Sequence, residues 1–280
     1  MTFVKKYLNN SLIKFRVFFK RFSPEIIIDA YYTLKFRLGF LISDGKKVGY
    51  SNYDIYESVL AKTIEHSNQN SGNVRLLNSN LSLLVGFFEN LTSPIKVLDF
   101  GGGSGLAFYE INRLFPGLIS EWSVVETELL VKMAKNTENE MLRFHPSIKS
   151  ATKHNRYDLV FASSSIPYTS NPLDTLQQLI DIQAKNIIIT RNALSKKPIA
   201  QNFLQISDLK SNGPGGTVKI KNKFVAYPIV ISSIKDFESK ILEKYNIVSI
   251  SSQGYIKYWT PHKNYRYESF EYLLRRREIS

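Results

Sequence analysis

The segment Val97-Leu98-Asp99-Phe100-Gly101-Gly102-Gly103-Ser104-Gly105 restricts the fold more than any other part of the chain. An apolar run of strand length stops at Gly101, and helical spacing starts near Leu106. Gly101, Gly103 and Gly105 let the backbone reverse within a few residues, because a residue without Cβ adopts left-handed angles at little cost. Short apolar runs alternating with helical segments then continue down the chain, which is the pattern of a mostly parallel sheet with helices on both faces.

The strand candidates are Ile95 to Phe100, Trp122 to Glu126, Leu142 to His145, Tyr157 to Ala162, Asn186 to Thr190 and Ile247 to Ser251, with Glu268 to Leu274 as a last, antiparallel strand. Helices are expected over Leu106 to Leu114, Leu129 to Asn139, Leu173 to Gln183 and Ile234 to Tyr245. The predicted fold class is therefore α/β: a Rossmann-like, doubly wound seven-stranded sheet carrying an N-terminal helical extension. Two further helices, Tyr53 to His66 and Leu76 to Leu91, are expected to cover one edge of the sheet, joined by the polar run Ser67 to Asn73. The stretch from Ser195 to Pro228, containing Gly213-Pro214-Gly215-Gly216, breaks the rhythm and reads as an insertion near residues 195–230 that shapes a substrate site. Residues 1–48 form a separate basic extension, and residues 49–280 a single main domain.

Composition narrows the chemistry. The chain has no cysteine, which excludes disulfides, thiolate metal sites, iron–sulfur clusters and cysteine nucleophiles. Lys and Arg number 37 against 24 Asp and Glu, a formal charge of +13 that favours anionic partners. Much of the excess lies before Val48, in Lys5, Lys6, Lys14, Arg16, Lys20, Arg21, Lys35, Arg37, Lys46 and Lys47. Leu8, Leu12, Phe15, Phe19 and Phe22 recur among them at helical spacing, giving a basic amphipathic helix that either lies in an anionic membrane surface or packs on the main domain. No long apolar span or ordinary signal peptide is evident, so the expected compartment is the cytoplasm, with the helix as a peripheral contact to the inner membrane face.

The turn has an acidic partner. Glu126 closes the next strand, near the position where a carboxylate binds ribose hydroxyls in dinucleotide folds. A dinucleotide fingerprint needs glycine at its sixth position, which here is Leu106, so a nicotinamide ligand is disfavoured. Asp99 adds negative charge where a sulfonium cofactor places its ammonium, and this suits a cation rather than a pyrophosphate.

On these residues the chain resembles class I S-adenosylmethionine-dependent methyltransferases: Val97 to Gly105 is similar to their first motif and Trp122-Ser123-Val124-Val125-Glu126 to their second. Together with Gly49-Tyr50, Tyr157 to Tyr168 and Ile187 to Thr190, it also resembles a poorly characterised bacterial methyltransferase family linked with surface-polysaccharide loci. The resemblance implies S-adenosyl-L-methionine as cofactor, with Asp99, Gly101, Gly103 and Gly105 on its methionine end, Glu126 on the ribose and residues near His145 to Ser147 on the adenine. Ser163, at the end of the fourth strand, completes the cofactor set. It further implies O-methylation of a sugar or glycan precursor in polysaccharide biosynthesis.

The fourth strand runs into Ser163-Ser164-Ser165-Ile166-Pro167-Tyr168, on the methyl side of the crevice. Ser165 to Tyr168 is faintly similar to the Asn-Pro-Pro-Tyr signature of amino-group methylation, but lacks the Asn or Asp that would accept from an amine. For a hydroxyl acceptor the base candidates are His145, His154 and His262, with His145 preferred and Tyr168 as an orienting group. Arg191, after the fifth strand, is placed to bind a phosphate or carboxylate or to make a loop salt bridge. No metal-ligand spacing appears, and none is expected to bind. Two other readings stay open: an RNA methyltransferase, on the net charge and the alternating Lys219, Lys221 and Lys223, and a cofactor-binding protein without catalysis.

Overall fold

The computed structural model describes residues 53–67, 81–196, 201–209, 224–256 and 267–278. All of them belong to one compact unit, Val48–Ile256 with Tyr267–Ser280; the other unit, Met1–Lys47 with Lys257–Arg266, lies outside the described residues. The basic amphipathic helix, the extension 1–48, Gly49-Tyr50, the start of the helix expected from Leu76, Gly213 to Gly216, the alternating lysines and His262 also fall outside them. Among the described residues no helix is long and apolar enough to cross a membrane.

The elements run α1 (Tyr53–Ser67), α2 (Ser82–Glu89), β1 (Ile95–Phe100), α3 (Leu106–Leu114), β2 (Ile119–Val125), α4 (Glu128–Ala134), β3 (Leu142–His145), α5 (Ile148–Thr152), β4 (Leu159–Ser163), α6 (Pro172–Asp181), β5 (Asn186–Ser195), β6 (Gln201–Asp208), β7 (Phe224–Ser233), α7 (Ile234–Lys244), β8 (Tyr245–Ile256) and β9 (Tyr267–Arg276). Among the described residues nine strands form the sheet, in the order β3-β2-β1-β4-β5-β7-β6, with β9 pairing β5 and β8. The first five are parallel neighbours, and β9 runs antiparallel to both β5 and β8. Without the β6–β7 hairpin this is the expected seven-stranded doubly wound sheet with an antiparallel last strand.

Two apolar layers sandwich the sheet. On one face Leu98, Val160, Ile187 and Ile189 pack on Leu176, Leu179 and Ile180 of α6 and on Phe237 and Ile241 of α7. On the other, Val97, Trp122, Val124, Phe161 and Ile188 pack on Leu84 and Phe88 of α2 and on Phe108 and Ile111 of α3. Neighbours along a strand, such as Val97 and Leu98, divide between the faces because strand side chains alternate. Each such buried aliphatic or aromatic residue contributes about 1.5–3 kcal/mol. Helix starts carry local signals: Pro172 follows the N-cap Asn171, whose side chain accepts from the Asp174 N–H, and the Ser233 side chain accepts from the Asp236 N–H at 3.4 Å to start α7.

Boundaries differ where tertiary pairing overrides local pattern. Strand β2 begins at Ile119, three residues before Trp122, because Ile119 pairs with Ile95. The helix after β2 stops at Ala134 and finishes in a 3-10 turn, Lys135–Thr137, instead of reaching Asn139. Tyr245 opens β8 instead of ending α7. The 195–230 insertion contains a β-hairpin that its Gly and Pro residues obscured. Pro228 sits inside β7 opposite Leu204 of β6, whereas β7 meets β5 only at Ser232 and Ser233. Pro228 therefore has a strand on one side alone among the described residues, the position in which a missing N–H is tolerated.

Candidate active site

The sheet reverses direction between β1 and β4, and ligands of open parallel sheets bind beyond the carboxyl ends of the strands at such a switch point. Gly101, Gly103 and Gly105 take φ of +70°, +60° and +83° at this place. A Cβ is excluded at Gly101 and Gly102, and is crowded and on a left-handed backbone at Gly103 and Gly105. A Cβ on Gly101 would lie 2.3 Å from Ser165 Cβ, one on Gly102 2.3 Å from Asp99 Oδ2, one on Gly103 3.3 Å from Val59 Cγ1, and one on Gly105 3.1 Å from Leu142 Cδ2. The glycines thus serve close approach within the chain, beyond the room for a ligand that the sequence suggested.

Beneath the turn Asp99 is 1% exposed. Its Oδ2 accepts from Trp122 Nε1 at 3.1 Å, while Oδ1 has no hydrogen-bond partner. Burial pushes this carboxyl from 3.8 up to about 7, opposed by the Trp122 hydrogen bond and reinforced by the charge of Glu126. Glu126 follows β2, held by its N–H donating to the His145 carbonyl at 3.0 Å. Its carboxylate accepts from Gly103 N–H at 3.2 Å and from Thr127 N–H at 3.0 Å. Burial raises its pKa and these two N–H groups lower it. A carboxylate offers about four lone-pair directions, so two remain for a diol.

Helix α1, read from sequence as an edge cover, lies on this turn instead. Besides Val59 against Gly103, Ser104 Oγ donates to Thr63 Oγ1 at 2.9 Å, and the hydroxyls of Tyr56 and Thr127 are 2.5 Å apart. An apolar cluster of Ile55, Tyr56, Leu130, Leu209, Val225 and Tyr227, with Tyr168 against it, joins α1 to α4, the β6–β7 hairpin and the 3-10 turn Ile166–Tyr168. These residues roof the carboxyl ends of the strands.

On the β4 side, Ser165 Oγ donates to the Phe100 carbonyl at 2.7 Å, locking the segment after β4 onto the glycine turn. Ser163 Oγ accepts from Thr190 Oγ1 at 2.8 Å and Arg191 Nε at 3.2 Å, so it braces the end of β4 against the middle of β5. Tyr168 OH donates to Gln205 Oε1 at 2.8 Å, and Gln205 Nε2 donates to Tyr227 OH at 3.3 Å. The two tyrosine rings meet edge to face, 5.4 Å apart. Gln205 and Tyr227 come from the hairpin, and nothing in their local sequence marks them.

The structure does not bring His145 and Tyr168 together. His145 ends β3, and β2 and β1 stand between β3 and β4, a lateral offset of about 14 Å at ordinary strand spacing. Burial holds its imidazole below the usual pKa, with Glu121 and Glu138 opposing, and its Nε2 is buried without a partner. It therefore stands on the Glu126 side, not where the segment after β4 would present an acceptor. His154 is exposed. No group of three potential metal ligands occurs among the described residues.

No protein-family model and no curated protein matches the chain. Several solved structures are similar at low identity. The [4+2]-cyclase SpnF is 11% identical, with a TM-score of 0.47 over 79% of this chain and 93% of that one. An S-adenosylmethionine-dependent methyltransferase from Clostridium acetobutylicum is 12% identical, with a TM-score of 0.44 over 70% of this chain and 88% of that one. The 1,6-didemethyltoxoflavin-N1-methyltransferase of Burkholderia thailandensis, solved with S-adenosylhomocysteine, is 12% identical, with a TM-score of 0.39 over 80% of this chain and 88% of that one.

Proposed function

We propose that the protein is an S-adenosylmethionine-dependent methyltransferase that methylates a hydroxyl of a sugar or related glycan precursor. One observation carries the cofactor reading: a buried carboxylate, Asp99, and a half-buried one, Glu126, bracket a left-handed glycine turn at the switch point, and Asp99 Oδ1 lacks a partner. A buried carboxylate with an unused oxygen favours an ammonium or sulfonium and repels a pyrophosphate. Glu126, with two lone-pair directions left, fits an unphosphorylated ribose diol. The fit is therefore good for this cofactor, which supplies an electrophilic methyl group.

The chain's own work is alignment. Ser165 fixes the segment after β4 against Phe100, and this segment presents Tyr168 beside the crevice. Gln205 holds the Tyr168 hydroxyl at 2.8 Å and so fixes the ring, which orients the acceptor toward the methyl group. Neutral polar and aromatic groups, Tyr168, Gln205 and Tyr227, support a sugar in preference to a polyanion. The basic amphipathic pattern of residues 1–22 is proposed to hold the protein at an anionic membrane, where lipid-linked sugar intermediates reside; flotation with phosphatidylglycerol liposomes should fail once those residues are removed.

Calorimetric titration with S-adenosylhomocysteine tests the reading. We expect micromolar binding, at least tenfold weaker binding by Glu126→Gln, and none of NAD. Absence of binding by the unaltered protein would remove the proposal.

A further inference from the structure

Strand β5 forks the sheet. Its pairing with β4 ends at Thr190 and its pairing with β7 begins at Leu194. Arg191, Asn192 and Ala193 lie between, with β9 alone beside them among the described residues. The register slips between Ile189 and Asn192, so Thr190 and Arg191 together face Glu271. Such a bulge bends a strand and re-aims its side chains, and bulges concentrate beside active sites. Arg191 takes φ +53° and Ser164, just past the end of β4, takes φ +54°. Their segments are tied by the Ser164 N–H donating to the Thr190 carbonyl at 2.9 Å. Two non-glycine residues held in the left-handed region, one just past β4 and one at the bulge inside β5, make the fork a built feature.

Asn192 is the residue the fork presents. It is 1% exposed, and neither its Nδ2 nor its Oδ1 has a hydrogen-bond partner. It lies opposite Phe270, and Phe270, Ile189 and Leu194 share a cluster with Ile166 of the 3-10 turn that leads to Tyr168. A leucine would fill this place without cost, whereas an unpaired amide is among the more expensive groups to bury. Rules of local consistency are broken mainly at functional sites.

On the reading of the protein as a methyltransferase, we propose that Asn192 is a specificity-determining residue that hydrogen-bonds a neutral, hydroxylic methyl acceptor through its amide. Its Oδ1 accepts a hydrogen bond from an acceptor hydroxyl and its Nδ2 donates one to a second oxygen of the acceptor. The chemistry selects the class. A hydroxyl both donates and accepts, matching an uncharged amide, whereas an ionised phosphate or carboxylate only accepts and leaves Oδ1 unpaired. A site built around such bonds discriminates strongly, because an acceptor lacking the hydroxyl strands the amide again.

The test compares the full-length protein with Asn192→Leu, which keeps the volume, and Asn192→Ser, which keeps one polar group. Melting temperature, S-adenosylhomocysteine affinity and transfer of labelled methyl to glucose, galactose and N-acetylglucosamine are measured for each. Asn192→Leu is expected to melt at or above the unaltered protein, to hold S-adenosylhomocysteine within about threefold, and to lose at least about thirtyfold in kcat/KM on the sugar probe, with Asn192→Ser intermediate. Unchanged kcat/KM in Asn192→Leu overturns the role, as does a lower melting temperature, which would mean that the amide is satisfied within the fold. A protein that binds S-adenosylhomocysteine yet methylates none of the three sugars also overturns it while leaving the cofactor reading intact. Failure to bind S-adenosylhomocysteine removes that reading first.

Discussion

Asp99 sets folding stability against ligand binding, and Asp99→Asn separates the two. With its carboxyl pushed by burial from 3.8 up to about 7, the folded protein prefers the protonated form. A shift of roughly three units is about 4 kcal/mol. Because the folded value lies above the unfolded one, this contribution to stability is complete below pH ~4, fades as the pH climbs, and is gone above pH ~7. At pH 8 the fold therefore carries a buried anion that an amide would spare it. Asparagine keeps an oxygen for Trp122 Nε1 but brings an N–H₂ needing a partner, at about 1–3 kcal/mol. The net expectation is a gain of about 1–3 kcal/mol at pH 8 that turns into a loss of about 1–3 kcal/mol by pH ~4, where only the cost of the amide remains. Binding moves the other way. Asp99 is about 90% ionised at pH 8 and about 10% at pH 6, so affinity for the ammonium-bearing S-adenosylhomocysteine should fall about tenfold over that interval in the unaltered protein. The variant should bind weakly at both pH values, without that slope. Thermal melts and calorimetry at pH 6 and 8 read both effects. An Asp99→Asn protein that melts lower at pH 8, or binds with the unaltered affinity and slope, would refute the reasoning.

Gly101→Ala should destabilise by more than about 3 kcal/mol in denaturant unfolding, because its Cβ would stand 2.3 Å from Ser165 Cβ at φ +70°. Gln205→Leu disconnects the Tyr168 and Tyr227 hydroxyls; methyl transfer should drop at least about tenfold while calorimetry shows unchanged S-adenosylhomocysteine affinity. His145→Asn should keep kcat and its pH profile within about threefold, since three strand spacings, about 14 Å, separate β3 from β4; loss of the fall in rate at low pH would reinstate it as the proton acceptor.

The sequence determined the features that arise from neighbouring residues. The turn at Asp99 to Gly105, the acid at Glu126 and the alternation of apolar runs with helical segments are local, because backbone angles and side-chain periodicity depend on a few adjacent positions. From them the doubly wound sheet, its antiparallel last strand and the crevice at β1 were all legible. Tertiary structure alone decided what meets there. Ser165 reaches Gly101, Val59 and Thr63 reach the turn, and Gln205 joins Tyr168 to Tyr227 across sequence separations that no local pattern records. His145 and Tyr168, equally plausible in one dimension, are set apart by strand order. Asn192 reads as one polar residue in an apolar strand until the fork beside it shows that its amide is buried without a partner. Pairing between distant segments sets these contacts, and its energy belongs to the packed whole and not to any stretch of chain.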